Sequence, residues 1–181
     1  MSVEVVPGGQ RRIDRVLDPS FTDRVDQLGL AELRARREEA EAEEADVSYL
    51  RRLLQGRLDI LRAELVRRSA GGEQDVAGLL AGLPAILSDD APGTFSAVPR
   101  VQVPSRAGEH RRRVERLVSD ETIARLPELD VEELTRAVEV LAAEEKVSTH
   151  RRAVQRVVDV LRGELARRYR DGTAQVSQLL E

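Results

Sequence analysis

EADVSYLRRLLQGRLDILRAELVRR, residues 44–68, decides how this chain is read, because EEKVSTHRRAVQRVVDVLRGELARR follows at 144–168. Aligned without a gap, the two stretches share thirteen identities in twenty-five positions. Glu44, Ser48, Arg51, Gln55 and Asp59 return as Glu144, Ser148, Arg151, Gln155 and Asp159, a duplicated E-x3-S-x2-R-x3-Q-x3-D pattern. A duplication that keeps polar residues as faithfully as apolar ones preserves something besides a core.

At 3.6 residues per turn the five polar positions fall in a stripe about 80° wide, which Arg62 and Arg162 extend. Beside it runs an apolar seam, Val47, Leu50, Leu54, Leu58, Leu61 and Leu65, matched by Val147, His150, Val154, Val158, Leu161 and Leu165. Spacings of three and four suit helix–helix packing. Each helix thus carries a packing seam edged by a polar ladder.

A solvated face with intrahelical salt bridges explains the ladder poorly. Such pairs need opposite charges three or four residues apart, whereas Glu44 and Arg51 are seven apart and Arg51 and Asp59 eight. Ser48 and Gln55 have ordinary helix propensity and lend no special support. A polar network that fixes helix register is a further reading, and it too must supply a counter-charge for the arginines. If the two copies pair antiparallel with their motif midpoints aligned, Arg51 meets Arg151, while Asp59 approaches Glu144 and Asp159 approaches Glu44. Like charges then gather in every zone, which is unfavourable without a ligand. Guanine offers N1–H and N2–H2 donors to carboxylates and O6/N7 acceptors to guanidinium forks, and phosphates suit Arg, Ser and Gln. A cyclic dinucleotide of guanine meets that description.

The duplicated signature resembles that of the RsiG family, actinobacterial anti-sigma factors that bind cyclic di-GMP. All ten signature positions are present, and the resemblance covers both long helices. It implies an all-α fold: a long antiparallel two-helix coiled coil, or helical hairpin, with short flanking helices and a flexible Pro/Gly-rich connector. It also implies that Glu44, Ser48, Arg51, Gln55, Asp59, Glu144, Ser148, Arg151, Gln155 and Asp159 form a site for an intercalated dimer of cyclic di-GMP. The implied partner is a flagellar-type sporulation sigma factor, WhiG, which is sequestered so that its sporulation genes are not transcribed. Within the site the expected roles are phosphate or guanine O6/N7 contacts for Arg51 and Arg151, and guanine N–H contacts for Asp59 and Asp159. Glu44 and Glu144 would act similarly at the far ends, with Ser48, Ser148, Gln55 and Gln155 as secondary donors. The competing reading is a structural coiled-coil scaffold whose ladders only set register; a nucleotide-acting enzyme is more remote.

Composition agrees with long helices: two Phe, two Tyr, no Trp, and charged residues making up 34% of the chain. Of 29 basic residues only Lys146 is lysine. Without Cys there is neither disulfide nor thiolate metal site. A net charge of −4 and few aromatic residues argue against direct DNA binding and against single-strand stacking platforms. No apolar run is long enough to span a bilayer and no signal-peptide segment is evident, so a cytoplasmic protein is expected. His110 and His150 belong to no metal-ligand pattern, and neither a P-loop nor a nucleophile elbow is present, so a binder with no catalytic residues and no metal is expected rather than an enzyme.

The expected organisation is a tail and short segment at 1–21, interrupted by Pro19, then a first long helix at 22–69 ending before Gly71-Gly72. Its acidic run Glu38–Glu44 reads as exposed, and the pair Arg11/Arg12 as solvated. Residues 70–108 hold four of the seven prolines and form a connector with a short apolar helix near 76–87. A short helical segment spans 109–128, where Asp120 is the expected cap and Pro127 the break. The second long helix covers 129–172, and 173–181 forms a tail. Two motif copies in one chain supply both halves of a site, so a monomer is expected before sigma binds.

Overall fold

The computed structural model describes residues 5–71, 104–142 and 146–172. All regular elements among them are helical: α1 (Arg12–Val16), α2 (Leu30–Ser69), α3 (Ala107–Leu117), α4 (Asp120–Ala124), α5 (Val131–Ala142) and α6 (Lys146–Arg170), with 3-10 turns at Pro19–Phe21, Val25–Gln27 and Leu126–Glu128. The expected helix at 76–87, Glu144 and the tail at 173–181 lie outside the described residues.

Three boundaries differ from expectation. The first long helix begins at Leu30 rather than 22, because Arg24 adopts a left-handed conformation (φ 50°) and Val25–Gln27 closes as a 3-10 turn. Helix α3 starts at Ala107, inside the stretch read as connector. Asp120 is the first residue of α4, not its cap; Ser119 accepts the Thr122 amide at 3.0 Å instead. A hydroxyl just ahead of the helix takes the orphan amide that an Asp inside the first turn cannot reach.

The described residues fall into two compact units, 1–48 with 147–181 and 49–146. In the first, Val16, Leu33, Ala40, Val154, Val158, Leu161 and Leu165 form a buried cluster, against which Phe21, Val25, Leu28 and Tyr169 are packed. In the second, Leu50, Leu54, Leu58 and Leu61 of α2 are buried, as are Val114, Leu126, Leu134 and Leu141. The seam read from three-four spacing is therefore the buried stripe of both helices; Leu65 and His150 are half-buried.

Beyond the exposed Glu38, the acidic run is no solvated face. Arg12 of α1 donates to Glu43 at 2.6 Å, to the Ala42 carbonyl at 3.2 Å and also to Asp46, and both acids are buried. Glu41 accepts from Arg162 at 2.9 Å, and Glu39 from Arg15 at 3.0 Å. Arg12, read as solvated, thus fastens α1 to α2 by a desolvated ion pair of the kind that is costly to break from one side.

Each unit also contains the same clamp. In the first, Glu164 accepts from Arg167 and Arg168, and Arg168 continues to the carbonyls of Val25 and Leu28 (2.8 Å each) and Asp26 (3.1 Å). In the second, Glu64 accepts from Arg67 and Arg68, and Arg68 continues to the carbonyls of Leu126 (2.7 Å) and Leu129. The end of one sequence copy thereby grips the 3-10 turn that leads into the other.

Candidate functional site

Each described motif residue sits on a helix whose apolar seam fixes its azimuth. In the first unit the middle of α2 brings Glu44 and Ser48, and α6 brings Ser148, Arg151, Gln155 and Asp159. Arg151 donates from Nε to Ser48 Oγ at 2.9 Å and lies 3.8 Å from Glu44 Oε1. Gln155 Nε2 donates to Glu44 Oε1 at 3.3 Å, and Ser48 Oγ donates to the same oxygen at 2.7 Å. Ser48 is buried; Glu44, Ser148, Arg151 and Gln155 are half-buried, and Asp159 is exposed. The two copies of the motif thus touch each other here, contributing a carboxylate and a hydroxyl from one and a guanidinium and an amide from the other.

At Glu44 the expectation of a zone holding only like charges is not met. Glu44 has a cation and two neutral donors beside it, so its charge is compensated within the protein. The neutral rungs also contribute more than their helix propensity suggested. Ser48 bonds Glu44 one turn back, and in the second unit Gln55 Nε2 donates to Asp59 Oδ1 at 2.6 Å. Each fixes the rotamer of a carboxylate that would otherwise swing freely.

The second unit holds Arg51, Gln55 and Asp59. Arg51 occupies the place in copy 1 that Arg151 occupies in copy 2, but its surroundings differ. It is half-buried, its Nε is shielded from solvent without a hydrogen-bond acceptor, and it makes no ion pair among the described residues. A shielded guanidinium donor left unmet costs about 1–3 kcal/mol or more, and a bound acceptor would recover that cost. Glu144 lies outside the described residues.

Sequence reasoning missed the clamp, although Glu64/Glu164, Arg67/Arg167 and Arg68/Arg168 are among the identities of the duplication. Their persistence was the available signal. In the first unit, hydrogen bonds from Arg167 and Arg168 hold the Glu164 carboxyl down to about 2. Nearby, the side chain of Arg11 holds Asp14 at about 2, helped by the Val6 amide.

A cavity of about 520 Å³ in the first unit is lined by Gly9, Asp14, Arg15, Phe21, Glu32 and Arg36, among others. Its charges are matched internally, Arg15 with Glu39 and Arg36 with Glu32, and it lies away from the ladder, so it offers a ligand little unmatched charge. Among the described residues no cluster of three His, Cys, Asp or Glu is arranged to hold a metal, and no helix is long and apolar enough to cross a membrane.

A family model described as RsiG-like matches residues 19–87 and 120–181, most of the chain, and each matched stretch contains one copy of the five-residue motif. No curated protein matches the sequence.

Proposed function

We propose that this chain, which belongs to the RsiG-like family, is a cyclic di-GMP-dependent anti-sigma factor. The family is regulatory, with an anti-sigma role and a sigma factor as partner. Beyond that, the ten residues Glu44, Ser48, Arg51, Gln55, Asp59, Glu144, Ser148, Arg151, Gln155 and Asp159 bind cyclic di-GMP, as the intercalated dimer that the motif resemblance implies. The partner in this reading is a flagellar-type sigma factor of the WhiG kind, held away from its sporulation promoters while nucleotide is bound. The fold we read as a helical hairpin. In support, bonded partners in the first unit run 34 with 169, 41 with 162, 44 with 155 and 48 with 151, numbers rising on one helix as they fall on the other.

The observation that carries the nucleotide reading is Arg51. A cation kept at the centre of a duplicated motif, with a shielded donor and no acceptor, has the chemistry required of a site for a phosphate or a guanine O6/N7 edge. Isothermal titration of cyclic di-GMP into the protein, alone and with a flagellar-type sigma factor, tests it. Uptake near two nucleotides per chain, tightened by sigma, is the expected result. Arg51→Ala should weaken binding about 100-fold, the equivalent of two lost charge-assisted hydrogen bonds; unchanged affinity overturns the assignment.

The register reading has its own support, the bonds from Arg151 and Gln155 to Ser48 and Glu44. It predicts that ladder variants lower the melting temperature and that no nucleotide is taken up.

A further inference from the structure

The two copies agree on the ladder and disagree on an adjoining face. About 130° around α2 from the ladder stand Tyr49, Leu53, Gly56 and Ile60, all in the second unit. The matching residues of the other copy are Thr149, Ala153, Arg156 and Val160. Copy 1 has thus a bulkier, more apolar face with a gap at its middle, and copy 2 a large cation where that gap would be.

With Arg111 and Val114 of α3, these four residues of α2 line a groove of about 340 Å³. Tyr49, Leu53 and Ile60 remain partly exposed along it. A side chain begun at Gly56 would meet no atom within 4 Å, so the gap is open space. Arg57 is drawn to one end, donating to Glu115 at 2.9 Å and also to Asp120 and the Val118 carbonyl, so its charge is matched. Arg52 and Arg111 also line the groove, are exposed, and make no hydrogen bond or ion pair among the described residues. Around the groove three arginines thus face two carboxylates, and Arg52 and Arg111 are the cations that touch neither, so an apolar floor is combined with a net positive charge. From 49 to 60 it runs roughly 16 Å, three helical turns.

We propose that this groove receives an acidic amphipathic helix of the sigma factor. An apolar helix face laid between two helices is a recurrent recognition mode, and acidic flanks would meet Arg52 and Arg111. The inference rests on the anti-sigma role of the family and not on nucleotide binding. It also gives the two copies, equivalent in their ladders, unequal parts in holding the partner.

The test uses the whole chain, cyclic di-GMP at saturation and a fluorescently labelled flagellar-type sigma factor. Gly56→Arg puts into the groove the residue that copy 2 carries, and it favours helix, so α2 is retained. Arg52→Glu with Arg111→Glu reverses the free charges. Each variant is expected to raise the sigma dissociation constant at least about tenfold, with nucleotide uptake unchanged and melting temperature not lowered; the charge variant should also flatten the salt dependence. Dissociation constants within about twofold of the unmodified chain overturn the proposal. So does absence of sigma binding by the unmodified chain, or a melting temperature lowered by Gly56→Arg, which would show the groove filled by the chain itself. If the variants weaken sigma binding while no form takes up nucleotide, the nucleotide reading falls and the groove stands. Normal nucleotide uptake with unaltered sigma binding removes the groove and leaves the nucleotide reading in place.

Discussion

Arg167 and Arg168 share one carboxylate, and removing each in turn isolates what the clamp does. Arg167 meets Glu164 through two bonds of 2.8 Å, is about half exposed, and also approaches Asp171 one turn on. Arg168 is 11% exposed, bonds Glu164 at 2.7 Å and reaches three carbonyls of the turn at 25–28. Arg167→Ala removes two bonds to the buried Glu164 carboxylate from the half-exposed side, where water can take their place, and should cost about 1–2 kcal/mol. Arg168→Ala strips two part-buried carbonyls of a charged donor and leaves Glu164 half-satisfied. At about 1–3 kcal/mol for each unmet buried group, with water recovering the exposed Asp26 carbonyl, the sum is about 3–5 kcal/mol. For a chain of this size that lowers Tm by roughly 6–20 °C. Urea unfolding of both variants, followed by circular dichroism, measures the contrast. If the two lose the same stability, or Arg168→Ala loses less than about 1 kcal/mol, the clamp does not hold the turn.

The depressed Glu164 carboxyl makes a pH prediction. Because its folded value lies below the ordinary 4.5, its stabilisation is complete above about 4.5 and disappears as pH falls towards 2. Glu164→Gln should accordingly flatten the acid limb of a stability–pH curve over that window. Gly9→Ala would drive a methyl into the Asp14 carboxylate and leave it 2.8 Å from the Val6 carbonyl, so the bonds that Asp14 accepts from Arg11 and the Val6 amide must open; a loss of about 1–3 kcal/mol is expected by thermal melting. Ser48→Ala removes the acceptor of Arg151 and the donor to Glu44. It should lower nucleotide affinity about tenfold by titration calorimetry and reduce stability by about 1 kcal/mol.

The parts of the fold legible in the sequence are those written in a short period. Val47, Leu50, Leu54, Leu58 and Leu61 recur every three or four residues, and all are buried. The ladder's spacing likewise places Glu44, Ser48, Arg151 and Gln155 where they touch. The lead-in turn reads as helix because Val25, Leu28 and Leu33 match helical spacing almost as well; only Gly29 signals the break. The tie from Arg12 to Glu43 and Asp46 joins residues more than thirty positions apart, and such a separation leaves no periodic trace. The same holds for the different states of Arg51 and Arg151: identical letters in identical motifs, distinguished only by what folds against them.

The reciprocal clamps also set a timetable for synthesis. The turn at 25–28 waits for Arg168, about 140 residues downstream, and the Arg68 guanidinium waits for carbonyls at 126 and 129. At about 5–20 residues per second, the nascent first copy spends several seconds outside the ribosome with those bonds unmade. Contacts so distant along the chain also slow folding, since the loops must close before any bond rewards closure. The first half is therefore exposed to proteases and chaperones until the last turns of the second helix emerge, and release of a truncated chain would leave it in that condition.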